Sequence, residues 1–277
     1  MTTVLAAMTH SVVIAPSDLV AVPVKAYQGK NQSLMHSWFV HGMLEDQHCW
    51  KDLVQILDPA QAALPHLPWS AQQGSDWGQL AEGYSWIAHF AQTQTELPRL
   101  MVAHSYGCNA LIEYLLLHPS QQPAALVLLS PFYRTSRAEI AWETFRDLAM
   151  GLEDLLAESI TIKDTRGRYH SWLLEEMVIR VRDRLGVYGW AEFLKLFLRS
   201  PDLRLEQLAC PVLVVSGEHD SYSLSATNAD LAQRLPHGEH LNIIGAGHFP
   251  HITHATQLAA AIQTFVDLLP SPTHSTL

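Results

Sequence analysis

The sequence predicts an α/β fold in which a mostly parallel sheet of eight strands carries helices on both faces. Short apolar runs alternate with longer stretches of helical periodicity, an order typical of parallel strands joined by crossover helices. Several of these runs, such as 33–40, are apolar almost without interruption, as expected of strands buried on both faces. The composition agrees, because 48% of the 277 residues are hydrophobic and can fill a large core.

The predicted elements follow one another along the whole chain. The first two strands are expected to form a hairpin or an edge pair, and the others to alternate with helices. Strands are predicted at 12–15, 19–27, 33–40, 63–69, 100–103, 124–130, 211–217 and 240–244. Helices are predicted at 46–57, 79–93, 109–117, 138–159, 170–200, 226–236 and 254–269.

Charge and cysteine content restrict the partners and the compartment. The net charge of −10 makes nucleic acid or an anionic membrane surface an unfavourable partner. No apolar run reaches the roughly 18 residues that span a bilayer. The N-terminal segment has no Lys or Arg before Lys25, whereas a secretory signal begins with basic residues. Three cysteines, an odd number, argue against a disulfide framework, so we expect a cytoplasmic protein.

The segment 131–206 differs in composition from the rest of the chain. It holds 12 of the 17 Lys and Arg residues and 13 of the 27 Asp and Glu residues, a net charge of −1, which leaves −9 for the remainder. Its two long stretches have helical periodicity. We therefore predict a helical cap at 131–206 and a core formed by 1–130 and 207–277.

The stretch "AHSYG" (103–107) joins a predicted strand directly to a predicted helix. Such a tight corner places its middle residue in a strained backbone conformation and leaves space only for small residues two positions away on either side. Ala103 and Gly107 meet that requirement around Ser105. The corner would expose the serine hydroxyl at the start of a helix, which is the geometry of a nucleophile elbow.

A serine nucleophile needs a base and an acid that orients the base. "PVLVVSGEHD" is a buried strand followed by a turn that ends in Asp220, and "HLNIIGAGHFPH" is a strand followed by a turn that reaches His248. Both follow Ser105 in the order serine, acid, histidine, and both follow strands. We predict that Ser105, Asp220 and His248 form a catalytic triad.

A tetrahedral intermediate also needs two N–H donors directed at its negative charge. The backbone N–H of Tyr106, at the start of the helix, is the first candidate. The second is the N–H of Met43, because the strand in "WFVHGMLEDQHCW" ends at His41 and Gly42, and glycine allows a close backbone approach.

The four pieces "HGMLEDQHCW", "AHSYG", "SGEHD" and "GAGHFPH" together resemble the α/β-hydrolase superfamily, of the serine type with a helical cap after the sixth strand. The resemblance extends from about residue 33 to the last helix. It implies a Ser105–His248–Asp220 triad and an active site between the core and the 131–206 insert. The chain departs from many relatives in carrying "LPWSAQQGSDWG" at 67–78.

The serine limits the possible chemistry, because the dehalogenases and epoxide hydrolases of this superfamily use an aspartate at the elbow. We expect a hydrolase that cleaves a carboxylic ester or thioester of a medium-sized, largely apolar acyl substrate, either free or bound to a carrier. The unusual 67–78 loop leaves open a cyclase, a lyase or an acyltransferase, and a C–C bond hydrolase is a further alternative. A slow, receptor-like binding protein is a third hypothesis.

Apolar and loop residues near these motifs are predicted to contact the substrate. We expect neither a cofactor nor a metal, because the chain has no Gly-rich phosphate loop and because His248 already has a role within the spacing His248, His251, His254. His41 is also expected to fix its own loop. The predicted substrate-binding residues are His41, Gly42, Trp69, Phe132, Trp142 and Phe249.

Overall fold

The computed structural model describes residues 21–70, 82–164 and 167–269. Within these ranges the chain forms seven strands and eight α-helices, with short 3-10 turns between them. The strands are β1 (Val24–Tyr27), β2 (Ser37–Val40), β3 (Ala62–Pro65), β4 (Leu100–His104), β5 (Ala125–Leu129), β6 (Val212–Gly217) and β7 (Gly238–Ile243). The helices are α1 (Lys51–Leu57), α2 (Gly83–Ala91), α3 (Tyr106–Leu117), α4 (Trp142–Lys163), α5 (Ser171–Arg199), α6 (Ser225–Arg234), α7 (Pro250–Thr253) and α8 (Ala255–Asp267).

The strands form one sheet in the order β1-β3-β2-β4-β5-β6-β7. The edge strand β1 is antiparallel to β3, and all other neighbours are parallel. The mostly parallel α/β fold is therefore confirmed. The predicted strand at 12–15 lies outside the described residues, so the strand before the insert, predicted as the sixth, is β5 here.

Alternate residues of the central strands face two separate apolar cores, which explains why these strands are apolar throughout. One core packs β4 residues such as Met101 against α2, α3 and α6. The other packs β4 residues such as Leu100 against α1 and α8. Helices thus cover both faces and fix the carboxyl edge of the sheet, where the loops of interest emerge.

The 131–206 segment lies between β5 and β6 and contains the two longest helices. Helices α4 and α5 pack against each other, and α5 is broken at Gly186, whose φ of 58° is a left-handed conformation. Tyr222, in the loop after β6, donates a hydrogen bond to the Gly151 carbonyl of α4. The segment is thus a pair of helices that contacts the core through Tyr222, and its assignment as a cap stays a prediction.

The predicted elements differ from the observed ones mainly at their ends. Strand β3 stops at Pro65, although an apolar run to Trp69 predicts a longer strand. The short helix α7 lies between the turn of His248 and α8, and no periodicity predicts it because it has only four residues. None of the described helices is long and apolar enough to cross a membrane.

Candidate active site

Ser105 lies at the corner between β4 and α3 with φ 53° and ψ −125°, a conformation that non-glycine residues seldom adopt. Its N–H donates to the Leu129 carbonyl at 2.8 Å, which holds the corner against β5. A Cβ on Gly107 would lie 2.5 Å from the His41 carbonyl oxygen, so no larger residue fits. The small residue expected after the serine thus has a direct steric cause.

The three residues predicted as a triad lie in hydrogen-bonding order. His248 Nε2 is 3.1 Å from Ser105 Oγ, and His248 Nδ1 is 2.9 Å from Asp220 Oδ2. The second oxygen of Asp220 accepts the N–H groups of Tyr222 and Ser223, each at 2.9 Å. These bonds fix the carboxylate, and the carboxylate favours the tautomer of His248 that carries its proton on Nδ1.

The electrostatics of this group follow from burial and pairing. Burial alone would raise the pKa of Asp220, but His248 and the N–H groups of Tyr222 and Ser223 lower it overall. Burial alone would lower the pKa of His248, but the charge and hydrogen bond of Asp220 raise it above the usual value. The pair therefore stabilises the protonated imidazole, the form that arises when His248 accepts a proton from Ser105.

The turn after β2 approaches Ser105 closely. A Cβ on Gly42 would lie 3.1 Å from the Ser105 Cβ atom. The absence of a side chain at Gly42 therefore allows the turn to approach the serine. Within the described part of the chain, the Met43 N–H donates no hydrogen bond. Met43 and Tyr106 both line the cavity in front of Ser105. The two predicted oxyanion donors thus come from residues that border the same space.

His41, Gly42 and Trp69 lie behind this surface and do not line the cavity. His41 Nε2 accepts the Leu67 N–H at 3.0 Å, and burial lowers the pKa of His41 to about 4, so that it is neutral. Trp69 Nε1 donates to the His41 carbonyl at 3.0 Å, and its ring packs edge-on against Tyr106. These residues support the turn, and the prediction that they contact substrate directly is corrected.

A cavity of about 160 Å³ opens between Ser105 and helices α4 and α5. Apolar side chains dominate its wall. Of the predicted substrate contacts, Phe132 and Phe249 line it, whereas Trp142 does not: this residue is at the first position of α4 and is 79% exposed. An amphipathic pattern does not show which apolar residues at the end of a helix contact a neighbouring element. The apolar lining from the insert comprises Leu148, Leu152, Leu155, Leu156, Ile160, Val181, Leu185, Trp190 and Phe193.

The insert also contacts the main chain of His248. Glu158 of α4 accepts the His248 N–H at 3.2 Å. Burial raises the pKa of Glu158, and the nearby His248 opposes that change. This carboxyl was not among the predicted site residues, because no sequence pattern relates a helix in the insert to a loop 90 residues later.

A second buried polar group lies beside the site and was also not predicted. Glu45 Oε2 is 2.6 Å from His104 Nδ1, and Glu45 Oε1 is 3.1 Å from His251 Nε2. Donor atoms of these three residues lie within 4.8 Å of one another, so this group is the candidate metal site among the described residues. Hydrogen bonds already join the three residues. The short distances between them are therefore explained without a metal ion.

The sequence is similar to those of known proteins. A family model described as "Alpha/beta hydrolase family" matches residues 39–261. The chain is 29% identical over 259 residues to a pimeloyl-[acyl-carrier protein] methyl ester esterase of Xanthomonas campestris pv. campestris (strain B100), an alignment that covers 86% of this chain and 95% of the relative.

Solved structures share the fold at lower identity. The chain is similar to an esterase of Thermogutta terrifontis, with a TM-score of 0.60 and 17% identity, over 89% of this chain and 93% of the esterase. It is also similar to Est816, described as an N-acyl homoserine lactone degrading enzyme, with a TM-score of 0.67 and 16% identity, over 88% and 96% of the two chains.

Proposed function

The chain belongs to the alpha/beta hydrolase family and is a serine hydrolase that cleaves esters, and we propose that it hydrolyses the ester of a small alcohol with a medium-length acyl chain. The observation that carries the proposal is the hydrogen-bonded sequence Ser105, His248, Asp220, of which Ser105 and His248 line an apolar cavity. An apolar wall suits a hydrocarbon chain, and a hydroxyl beside an imidazole suits attack on a carbonyl.

In the first half-reaction, Ser105 Oγ attacks the ester carbonyl carbon while His248 Nε2 accepts the hydroxyl proton. The negative charge that develops on the carbonyl oxygen is stabilised by the N–H groups of Met43 and Tyr106. Asp220 stabilises the imidazolium form of His248. The bond to the alcohol oxygen then breaks, His248 returns its proton to that oxygen, and an acyl-enzyme remains on Ser105.

In the second half-reaction, a water molecule replaces the alcohol. His248 Nε2 accepts a proton from the water as its oxygen attacks the acyl carbonyl, and a second tetrahedral intermediate forms with its oxyanion at Met43 and Tyr106. The bond to Ser105 Oγ breaks, and the proton on His248 passes to Oγ. The free acid leaves, and one water has been consumed for each ester cleaved.

The size of the cavity supports a medium-length acyl group. A dry cavity of about 150 Å³ admits a benzene molecule, and the cavity here is about 160 Å³. By that comparison the enclosed space accommodates on the order of six carbons. Longer substituents would extend past the mouth of the cavity.

The relatives supply a more specific form of the proposal. Several curated relatives from Xanthomonas are named pimeloyl-[acyl-carrier protein] methyl ester esterases. By analogy, the alcohol is methanol and the far end of the acyl chain is attached to a carrier outside the cavity. A carrier would then be the macromolecular partner, and the cytoplasmic location stays a prediction from the sequence.

The test is hydrolysis of a matched pair of methyl esters, dimethyl pimelate and the pimeloyl methyl ester attached to an acyl-carrier protein. We expect free acid and methanol in equal amounts from both, with kcat/KM at least tenfold higher for the carrier-bound ester. Equal kcat/KM values for the two esters would refute recognition of the carrier, but would remain consistent with esterase activity. No hydrolysis of either ester, nor of p-nitrophenyl esters, would refute the esterase.

The same product analysis addresses the other chemistries considered from the sequence. A cyclase or acyltransferase would give a cyclic or transferred product in place of the free acid. Most of the 67–78 loop that motivates these alternatives lies outside the described residues. The Ser105→Ala variant, assayed in parallel, measures the background of uncatalysed hydrolysis.

A further inference from the structure

The Glu45 carboxylate lies where three loops of the site meet, with a 3% exposed fraction. Its Oε2 atom accepts the Gly42 N–H at 2.8 Å and lies 2.6 Å from His104 Nδ1. Its Oε1 atom lies 3.1 Å from His251 Nε2. One carboxylate therefore contacts the turn after β2, the residue before Ser105, and helix α7.

His104 carries this connection to the catalytic histidine. Its Nδ1 faces Glu45, and its Nε2 donates to the main-chain carbonyl of His248 at 2.8 Å. The imidazole of His104 is 1% exposed, so both bonds form away from water. The route from Gly42 to the His248 backbone thus passes through only two side chains.

Counting protons assigns the charges in this group. A carbonyl oxygen accepts only, so His104 Nε2 must carry a hydrogen. Burial alone would raise the pKa of Glu45, but His104 and His251 hold it well below its usual value, so Glu45 is ionised. Burial and the charge of His104 lower the pKa of His251 to about 4, so it is neutral and donates through Nε2. One hydrogen between His104 Nδ1 and Glu45 Oε2, which lie 2.6 Å apart, completes the group.

A buried carboxylate–imidazole pair of this kind contributes little net stability, because the cost of removing both groups from water offsets their attraction. Its directional hydrogen bonds, in contrast, hold atoms in fixed places, and they are stronger than bonds between neutral groups. Gly42 packs directly against it: a Cβ there would lie 2.8 Å from Glu45 Oε2 and 2.9 Å from His104 Nδ1. The turn that carries Met43 therefore packs against the Glu45–His104 pair.

We propose that Glu45 and His104 are positioning residues that hold the Gly42–Met43 turn and the main chain of His248 in register around Ser105. The inference rests on the proposed function, since it assigns these groups to the geometry of the transition state. Neither side chain reacts. Both side chains also border the substrate cavity. Replacing them by glutamine keeps a side chain of similar size there, but would loosen the oxyanion donor and the base relative to the serine.

The experiment compares Glu45→Gln, His104→Gln and the double variant, using p-nitrophenyl butyrate. Each preparation is titrated with a fluorophosphonate, so that kcat is expressed per reactive serine. A 1 Å displacement in an active site can reduce the rate by about 100-fold. We expect each single variant to lower kcat per titrated site by about 30-fold or more, with KM changed less than threefold. The double variant should be no worse than the worse single variant, because both act through one connection.

Glu113→Gln is the matched control, because Glu113 is also a buried carboxylate paired with a cation, Arg199, but it contacts none of the three loops. It should leave kcat per titrated site within twofold of the wild type, whatever its effect on the melting temperature. A purely structural role for Glu45 would give that same result in Glu45→Gln.

Three results would overturn the proposal. The first is a kcat per titrated site within twofold of the wild type in Glu45→Gln or in His104→Gln. If one of these variants does not fold, the result for the other is sufficient. The second is losses that multiply in the double variant. The third is activity of the wild type that EDTA abolishes and Zn²⁺ restores, which would assign the three groups to a cation. A failure of the proposed function would instead appear in the wild type, as absence of hydrolysis.

Discussion

His248 Nε2 lies 3.1 Å from Ser105 Oγ, although 143 positions separate the two residues. The strand-to-helix corner at Ser105 and the turn after β7 both emerge at the carboxyl edge of the sheet, which brings these side chains together. Ligands of open α/β sheets bind at this edge.

The activity should decrease at low pH, because His248 must be neutral to accept the proton of Ser105. Asp220 raises the pKa of His248 above its ordinary value, so the acid limb of kcat/KM lies at a higher pH than for an unpaired histidine. Asp220→Asn removes the charge, so it should move this limb to lower pH and reduce kcat by about 10⁴-fold. A pH–rate profile of both proteins measures the change, and an unmoved limb would contradict the pairing.

Gly107→Ala should destabilise the fold because a Cβ there would lie 2.5 Å from the His41 carbonyl oxygen and 3.0 Å from that of Val40. Both atoms belong to the main chain of β2 and its turn and cannot rotate away. We expect a loss of about 2–3 kcal/mol in the free energy of unfolding, measured by urea denaturation.

Gly186→Ala is the matched control for Gly107→Ala. Gly186 has a positive φ, but nothing lies within 4 Å of a Cβ built there. A side chain at φ 58° and ψ −176°, a conformation that mainly glycine adopts, costs about 1–3 kcal/mol through backbone strain alone. Gly107 lies within α3 and has no positive φ, so its loss measures the steric clash, and a loss below about 1 kcal/mol in Gly107→Ala would contradict that clash.

Stability should depend on the protonation of Glu113. Burial raises the pKa of Glu113 to about 7, and Arg199 only partly opposes this. A carboxyl whose pKa is raised in the folded state stabilises the protein at low pH, and that stabilisation is lost as the pH rises from about 4.5 through 7.

We therefore expect the wild type to lose roughly 2 kcal/mol relative to Glu113→Gln between pH 5 and pH 8. Urea denaturation of both proteins at a series of pH values measures this difference. A difference that stays constant with pH, or that grows in favour of the wild type, would contradict the raised pKa.

Leu156→Ala should shift the acyl-chain preference, because Leu156 of α4 is buried and lines the cavity. Enlarging the cavity should raise kcat/KM about tenfold for esters one or two methylenes longer than the wild-type optimum. Trp142→Ala, on the same helix but 79% exposed, should leave the profile unchanged. A series of p-nitrophenyl esters measures both, and a shift in Trp142→Ala alone would place the acyl site elsewhere.

The parts of the fold and site that local geometry determines could be predicted from the sequence. Apolar runs fix the strands that are buried on both faces, and a tight corner fixes small residues around Ser105. The order of Ser105, Asp220 and His248 follows from strands that end at one edge. Contacts that depend on long-range packing could not be predicted in this way. Trp142, for example, belongs to an amphipathic helix, but the pattern does not indicate which end of that helix faces solvent.

Glu45, His104 and Glu158 illustrate the other limit of sequence-based prediction. Their partners lie 59 to 144 positions away along the chain, and no spacing rule connects them. His104 makes no bond to a sequence neighbour among these contacts: its partners are Glu45 and the His248 carbonyl. The position of His104 next to Ser105 in the sequence indicated a role near the site. Only the structure identifies the atoms with which it forms hydrogen bonds.

The most direct test of the central claim is to treat the protein with a fluorophosphonate, locate the label by peptide mass spectrometry and follow ester hydrolysis in the same sample. We expect one phosphonyl group per chain, on Ser105, with activity lost in proportion to labelling, and neither labelling nor hydrolysis in Ser105→Ala. Label on another residue, or hydrolysis that persists in Ser105→Ala, would contradict the account.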